Sequence, residues 1–390
     1  VTTPQAIRQL NETRALAALF RAGGMSRAEL ARSLGLTRST TGSLVQSLLD
    51  AGLVRERPEE EAAARVGRPG ILVEIDGDGA FFIGADIGVD RITALAVDLA
   101  GMVRHAVERD FRGAGCDPAA AIELTARLIG EALAALPAGG RVEGISVAIP
   151  GFLAADQRTY HATILGWHGV EVASLLRRQL GIDRPVLLEN DANAFAVAET
   201  YRQAGREPAD ILVVLIENGV GGGIIAGGRL YHGRQRGAGE IGHIRIGEEG
   251  YVFDPRRPGR FETFVGKDAL LARWRYHGGT PATLAGLLAA LEAGDAAAQR
   301  TAADWGRWLA RGLAALISTL EPQKVVLGGS VSAVFPFVAE AVAREVEASL
   351  VEGYPVPAIE TSTVRTAGPA LGAAYLLHQA MLSMDAQFQV

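Results

Sequence analysis

The sequence predicts an N-terminal winged helix-turn-helix unit followed by a mixed α/β body. Three observations carry that prediction. Charge is split: the net charge of the 390 residues is −6, yet residues 1–57 hold eight Arg against four acidic residues, leaving +4 at one end and −10 in the remainder. Apolar residues in the first segment recur at helical spacing between turn and capping signals. After about residue 78, strand-like and helix-like runs alternate, the pattern of an α/β body.

In the first segment Ile7, Leu10, Leu16, Leu19 and Phe20 form one helical stripe over Gln5 to Phe20, and Gly23-Gly24 stops it. Ser26-Arg27-Ala28-Glu29 reads as a capping box opening a second helix to about Leu34. Gly35-Leu36 makes the turn and Thr37 caps a third helix. Its inner face is Leu44, Val45, Leu48 and Leu49, and it ends at Ala51-Gly52. Arg38, Ser39, Thr41, Ser43 and Gln46 are assigned to the outer face, a polar set suited to phosphates and base edges in a major groove, with Arg27 at the start of the preceding helix. Residues 53–57 and 71–74 read as the two strands of a wing. Between them Gly67-Arg68-Pro69-Gly70 places Arg68 on a slim tip suited to a minor groove. Double-stranded operator DNA is the expected partner of this end.

The body opens with a β-meander, residues 81–88, 93–98 and 99–103. A helix over 118–136 follows, with Asp117 as cap and Pro118 in the first turn. Residues 144–149 read as a buried strand, 170–180 as a helix, 185–188 as a strand and 194–201 as a helix, so Asn190-Asp191-Ala192-Asn193 falls between strand end and helix start, where ligands are bound in open α/β sheets. The glycines of 219–228 follow the apolar strand 211–216 and lead into another strand. They are therefore read as hairpin and loop glycines rather than a dinucleotide fingerprint, which would open a helix.

Composition excludes several classes. About half the residues are hydrophobic, a fifth are charged and no run of ~18 apolar residues occurs, so neither disorder nor a membrane span is expected. No secretory leader is read at the start, and a cytoplasmic protein is expected. Cys116 is the only cysteine, which excludes an intramolecular disulfide and a multi-thiolate zinc site.

Ile216 through Gly219, Gly221, Gly223 and Gly233 to Gly242-His243 resembles the glycine-spaced signature of the ROK family, which comprises repressors, sugar kinases and unassigned reading frames. Pro150-Gly151, Leu165-Gly166-Trp167, Glu189-Asn190-Asp191-Ala192-Asn193, Val326-Leu327-Gly328-Gly329 and Gly368-Pro369-Ala370-Leu371-Gly372-Ala373-Ala374 fall in the family's order, so the resemblance spans the body. Ser26-Arg27 and Gly67-Arg68-Pro69 resemble the repressor branch, similar to xylose and N-acetylglucosamine repressors.

The resemblance implies an actin-like, two-lobed sugar kinase fold. The expected domains are 1–77 (winged helix), 78–200 (first lobe) and 201–390 (second lobe), with the C-terminal helix packing back on the first lobe. It also implies that Asn190 and Asp191 bind sugar hydroxyls, that Glu240 and His243 reach the anomeric side and that Glu262 completes the shell. In family kinases the residue matching Asp191 is the general base. Read one at a time, Asp191 serves as well as a helix cap, and Glu240 and His243 as partners of backbone groups.

Two departures set this chain apart. Family kinases present Asp-x-Gly-Gly-Thr at the first phosphate loop, whereas here Asp86-Ile87-Gly88-Val89-Asp90 puts a branched side chain and a carboxylate where backbone approach to phosphates is needed, with Arg91 able to offset part of the charge. The family usually follows its Gly-His with Cys-x-Cys-Gly-x-x-Gly-Cys, a structural zinc site with the His. Residues 247–261 contain no cysteine and Arg260 stands where the last one is expected. No metal or cofactor is expected, and Tyr251, Phe253, Phe261 and Phe264 are expected to hold the loop by packing. The resulting reading is a DNA-binding transcriptional regulator, a repressor, controlled by a small sugar without phosphoryl transfer, acting as a homodimer or tetramer. An active ATP-dependent sugar kinase with a DNA-binding appendage, and a constitutive regulator with a vestigial pocket, are the alternatives.

Overall fold

A computed structural model describes residues 3–58, 71–201, 210–252, 258–364 and 367–383. The wing tip with Arg68 and the aromatic Phe253 lie outside the described residues. At the N-terminus α1 (Pro4–Ala22), β1 (Met25–Ser26), α2 (Arg27–Leu34), α3 (Arg38–Asp50), β2 (Val54–Pro58) and β3 (Ile71–Ile75) form a winged helix with strand order β1-β3-β2. Local chemistry sets each boundary. The Thr3 hydroxyl accepts from the Ala6 amide, Ser26 and Glu29 close a reciprocal capping box, and Thr37 accepts from the Thr40 amide. Gly23 and Gly35 end α1 and α2 in the left-handed region, at φ 71° and 67°. Leu16, Leu19, Leu30, Leu34, Leu44, Val45, Leu48, Val54 and Val73 are buried together between the helices and the sheet.

The body contains two five-stranded sheets of one design. In the first lobe β4 (Phe81–Ile87), β5 (Arg91–Asp98) and β6 (Val103–Asp110) form the meander. After α4 (Pro118–Ala134) comes β7 (Val142–Ile149), and after a small sheet of β8 (Phe152–Leu153), β9 (Tyr160–Ala162) and β10 (Trp167–Val170) and α5 (Val172–Leu180) comes β11 (Val186–Asn190), giving the order β11-β7-β4-β5-β6. The chain then forms α6 (Asp191–Tyr201). In the second lobe β12 (Ile211–Ile216), β13 (Val220–Ala226) and β14 (Arg229–Leu230) form the equivalent meander. Helices α7 (Glu262–Val265), α8 (Lys267–Tyr276), α9 (Leu284–Glu292) and α10 (Ala296–Leu320) lead to β15 (Lys324–Gly328), and α11 (Ala339–Ser349) leads to β16 (Ala358–Thr361), giving β14-β13-β12-β15-β16. Each sheet thus has three meander strands followed by two strands parallel to the first.

Helix α12 (Gly368–Leu382) follows β16 as α6 follows β11, and each lies across the sheet of the other lobe: α12 on β4, β7 and β5, α6 on β13 and β12. The two helices pack on each other. Glycine makes the approach possible: a Cβ at Gly372 would stand 1.6 Å from Ala194 O, and one at Gly84 2.0 Å from Ala370 O. Gly221 and Gly223, read from sequence as hairpin and loop residues, lie inside β13. There a Cβ would come within 2.7 Å and 2.3 Å of the Ala192 and Ala196 methyls, so these glycines form the bed on which α6 rests.

The winged helix is fused to this hinge, because its core runs without a break into α6, α12 and the first sheet. Phe20 of α1 stacks on Tyr201, the last residue of α6, at 5.8 Å and tilts against His378 of α12 at 4.8 Å. Phe82 of β4 meets His378 edge-on at 5.0 Å. His378 is fully buried, with Nε2 2.8 Å from Leu99 O and Nδ1 2.7 Å from the Tyr201 hydroxyl. The carbonyl can only accept, so the proton sits on Nε2 and the Tyr201 hydroxyl donates to Nδ1.

Burial holds the His378 pKa down at about 4, from an ordinary 6.5. Between these values the unfolded chain binds a proton that the folded chain refuses, so folding stability falls as pH drops from 6.5 to about 4, by on the order of 3 kcal/mol from this group. Urea denaturation across that window, compared with His378→Gln, is expected to show the wild-type advantage shrinking with acid; a constant difference would show that His378 is not held neutral.

Candidate functional site

The site is assembled where β11 ends, α6 begins and the loop after β14 crosses over. The sequence places the start of the helix at Ala194, and the structure starts α6 at Asp191. The reason is Asn190, whose Oδ1 accepts from the amides of Ala192 and Asn193 at 2.9 and 3.1 Å, capping the helix earlier. Its Nδ2 donates to Gly151 O at 2.9 Å. One amide hydrogen of Asn190 is then left over for a ligand.

Asp191 is half-buried and one oxygen accepts from the Ala192 amide at 2.9 Å. Loss of solvent, with the carboxylates of Glu240 and Glu217 nearby, raises its pKa to about 6 despite that bond. Asp86, at the end of β4, is buried and pushed well above the carboxylate range by desolvation and by Asp191 and Glu217, and its Oδ1 has no hydrogen-bond partner among the described residues. Carboxylates from both lobes therefore converge here.

Glu240, His243 and Glu262 are brought together. His243 Nε2 lies 3.5 Å from Glu240 Oε2, and its Nδ1 lies 3.2 Å from Glu262 Oε1. Arg260 reaches the same ring, with its guanidinium 2.7 Å from Nδ1. A guanidinium in contact with the imidazole, and no thiolate on the loop, do not fit a zinc ion at His243.

The sequence reading gives no site role to Glu189, His232, Arg236, Glu217 or Lys267, and names Arg260 only as standing in place of a cysteine. Glu189 is buried beside Asn190 and accepts from His232 Nε2 at 2.8 Å, Arg236 at 2.6 Å and Asn193 Nδ2 at 3.0 Å. Burial alone would raise its pKa, but the His232 bond and the charges of His232 and Arg236 hold it below the usual value. This cluster ties the loop carrying Glu240 to the strand end carrying Asn190. Glu217, in the β12–β13 turn, accepts from the amide and hydroxyl of Ser330 at 2.6 and 2.5 Å. A charged residue one position before Asn190 and a carboxylate in a glycine-rich turn were the available signals; apart from Asn193, the partners named here are 43 to 113 residues away.

The phosphate-loop departure resolves differently from expectation. Asp90 Oδ2 pairs with Lys267 Nζ of the second lobe at 2.5 Å, while Arg91, expected to offset it, lies 3.3 Å from Glu108. Val89 packs against the first lobe's core.

On the winged helix, Arg38, Ser39, Ser43 and Gln46 are exposed on α3. Thr41 is a correction: it is fully buried and its hydroxyl bonds back to Thr37 O at 3.0 Å. The signal was present, since Thr41 stands three, four and seven residues before Leu44, Val45 and Leu48, on the inward stripe. Arg27 is half-buried and paired with Glu56 of β2 at 2.9 Å, and Gln46 donates to Asp50 at 2.8 Å. Among the loop aromatics, Phe261 and Phe264 are buried. The Tyr251 ring is half exposed, lies under the Arg273 guanidinium at 3.9 Å and bonds Asp304 at 2.6 Å.

A winged helix joined to a duplicated, two-lobed α/β body with a polar site at the hinge defines a sugar-kinase-like fold carrying a DNA-binding module. The chain belongs to the ROK family, whose model matches residues 82–380, and a MarR family model matches residues 8–65. The xylose repressor of Bacillus subtilis (strain 168) is 25% identical over 342 residues, 87% of either chain. The DNA-binding transcriptional repressor Mlc of Escherichia coli (strain K12) is 25% identical over 359 residues, 87% of this chain and 86% of Mlc. A solved ROK family transcriptional regulator, a homologue of E. coli Mlc, shares the fold at TM-score 0.77 and 23% identity over 96% of this chain and 97% of its own. A ROK family glucokinase from Streptomyces griseus, in complex with glucose and AMPPNP, matches at TM-score 0.65 and 25% identity over 77% of this chain and 99% of its own.

The raised pKa of Asp191 is also a stability statement. Its folded value lies above the ordinary 3.8, so ionisation costs the fold stability as pH rises from 3.8 through about 6. Asp191→Asn keeps an oxygen for the Ala192 amide and removes the charge. It is expected to stabilise the ligand-free protein at pH 7 by on the order of 2 kcal/mol, with no gain below pH 4. Thermal melts across pH check this; an equal effect at pH 4 and 7 would contradict it.

Proposed function

We propose that the protein is a DNA-binding transcriptional repressor whose kinase-like body senses a neutral sugar and transfers no phosphoryl group. The observation that carries the reading is the length of α6. Its first residue, Asp191, lies in the polar site, and its last, Tyr201, touches Phe20 of the DNA-binding unit. A sugar that draws the lobes together around Asp191 displaces α6 against α12 and, through Phe20, moves α1 and the α3 face that meets DNA. Hydroxyls, each both donor and acceptor, suit the mixture of Asn190, Asp191, Glu240, His243 and Glu262.

Phosphoryl transfer is disfavoured by charge. A triphosphate approaching the β12–β13 turn meets the carboxylate of Glu217, and the Ser330 amide and hydroxyl that could receive a phosphate oxygen are already bonded to it, while Lys267, a cation that could answer phosphate, is already paired with Asp90. At ~4 Å one unpaired like charge costs about 4 kcal/mol at an effective dielectric of 20. Named repressors among the relatives support the same choice over the kinase. The protein is expected to act in the cytoplasm on two-fold operators as a homodimer or tetramer, since winged helix-turn-helix units read half-sites in pairs; no helix among the described residues is long and apolar enough to cross a membrane.

The test uses DNA fragments selected by the purified protein and a panel including D-xylose, D-glucose and N-acetylglucosamine. One sugar is expected to raise the melting temperature and change operator affinity by roughly 5- to 150-fold, with no ATP consumption in a coupled assay. Turnover abolished in Asp191→Asn would establish the kinase instead, and no response to any sugar would leave a constitutive regulator.

If α6 carries the signal, Phe20→Ala is expected to bind sugar normally by calorimetry while the sugar-dependent change in operator affinity shrinks severalfold. Undiminished coupling in that variant would rule out the Phe20–Tyr201 contact as the route.

A further inference from the structure

The loop after Ile241–His243 has no thiolate to gather it, yet its far end is fixed. Ile246 donates to Gly259 O and Phe261 to Ile244 O, both at 2.9 Å, and Arg245 and Arg260 form an antiparallel bridge. Phe261 is fully buried against Gly312 of α10, where a Cβ would stand 2.3 Å from its ring. With the backbone pinned, Arg260, 15% exposed, directs one terminal nitrogen to both His243 Nδ1 at 2.7 Å and Glu262 Oε1 at 3.5 Å.

A guanidinium keeps its protons and has no acceptor. At 2.7 Å the hydrogen in this contact comes from Arg260, so Nδ1 presents its lone pair and the ring's own hydrogen sits on Nε2. Glu262, 3.2 Å from Nδ1, is then joined to the ring through Arg260 and not by a proton on Nδ1. Nε2–H faces Glu240 Oε2 at 3.5 Å.

We propose that Arg260 is a positioning residue that takes the place of a metal at this loop: its guanidinium holds His243 in the Nε2–H form and links it to Glu262. The donor Nε2–H and the acceptor Glu240 then stand side by side and grip a single hydroxyl that both receives and gives a hydrogen bond. A ligand phosphorylated at that position would face Glu240 and Glu262 and be refused. The last two statements rest on the sugar-sensing reading; the clamp itself does not.

The experiment is a long-range proton–nitrogen correlation of the imidazoles in the full-length, sugar-free protein, with His243 assigned by loss of its signals in His243→Gln. The wild type is expected to show a protonated Nε2 and an unprotonated Nδ1. Arg260→Met is expected to lose that form as the proton moves to Nδ1 to meet Glu262, and Arg260→Lys, which keeps a cationic donor, to retain it. A merely structural role would move melting temperature without moving the proton. Nδ1–H in the wild type, an unchanged ring in Arg260→Met, or stoichiometric zinc in the purified protein would each overturn the clamp. Should Arg260→Met not fold, the wild-type and Arg260→Lys spectra still decide. A correct tautomer combined with no response to D-xylose, D-glucose, N-acetylglucosamine or their phosphates would remove the sugar reading and leave the clamp standing.

Discussion

The close contact of α6 with α12 is the constraint on which the rest of the molecule depends. Each helix leaves one sheet and lies on the other, so the two lobes are joined by a helix pair whose separation is set by backbone touching backbone. Gly372 against Ala194, Gly84 against Ala370, and Gly221 and Gly223 against Ala192 and Ala196 leave no room for a single added carbon. A joint packed this tightly moves as discrete bodies and not as a continuous deformation, which suits a two-state device. Asp191 of the polar site and the aromatic contact with the winged helix lie at opposite ends of one of these helices.

The electrostatics between the lobes follow a consistent division. On the Asp86, Asp90 and Glu217 side, Asp86 is buried, Asp90 is paired with Lys267 and Glu217 is bonded to Ser330. On the Asn190, Glu240 and His243 side, donors and acceptors alternate, and Arg236 and Arg260, with the His232 ring, are tied to Glu189 and Glu262 so that the loops carrying the contacts keep their shape. The raised pKa of Asp191 shows that this arrangement costs stability when no ligand is present. Such a cost is expected where a polar group is held ready for a partner.

The winged helix and the strands read at 81–88, 93–98, 144–149, 185–188 and 211–216 were legible in sequence because they are set by short-range chemistry, whereas the third meander strand, read at 99–103, lies at Val103–Asp110 after a turn. The Ser26–Glu29 box, the Thr37 cap and the glycine stops act within a few residues. Thr41 was misassigned although its position on the apolar stripe was in the sequence; the polarity of its hydroxyl outweighed its phase, and the i−4 carbonyl satisfies that hydroxyl inside the fold. The glycines of β13 were read as turn formers because their reason, the methyls of α6, is supplied by another element.

The sequence by itself determined the family and the absence of thiolates on the loop after His243, and it named Asn190, Asp191, Glu240, His243 and Glu262 as candidates. Only the tertiary structure decided which donor meets which acceptor: Lys267 rather than Arg91 for Asp90, Arg236 and His232 for Glu189, Arg260 for the His243 ring. The reason is that charge pairing depends on distance in space. These partners meet only after strands and helices have been stacked, whereas caps, stripes and motif order are written along the chain.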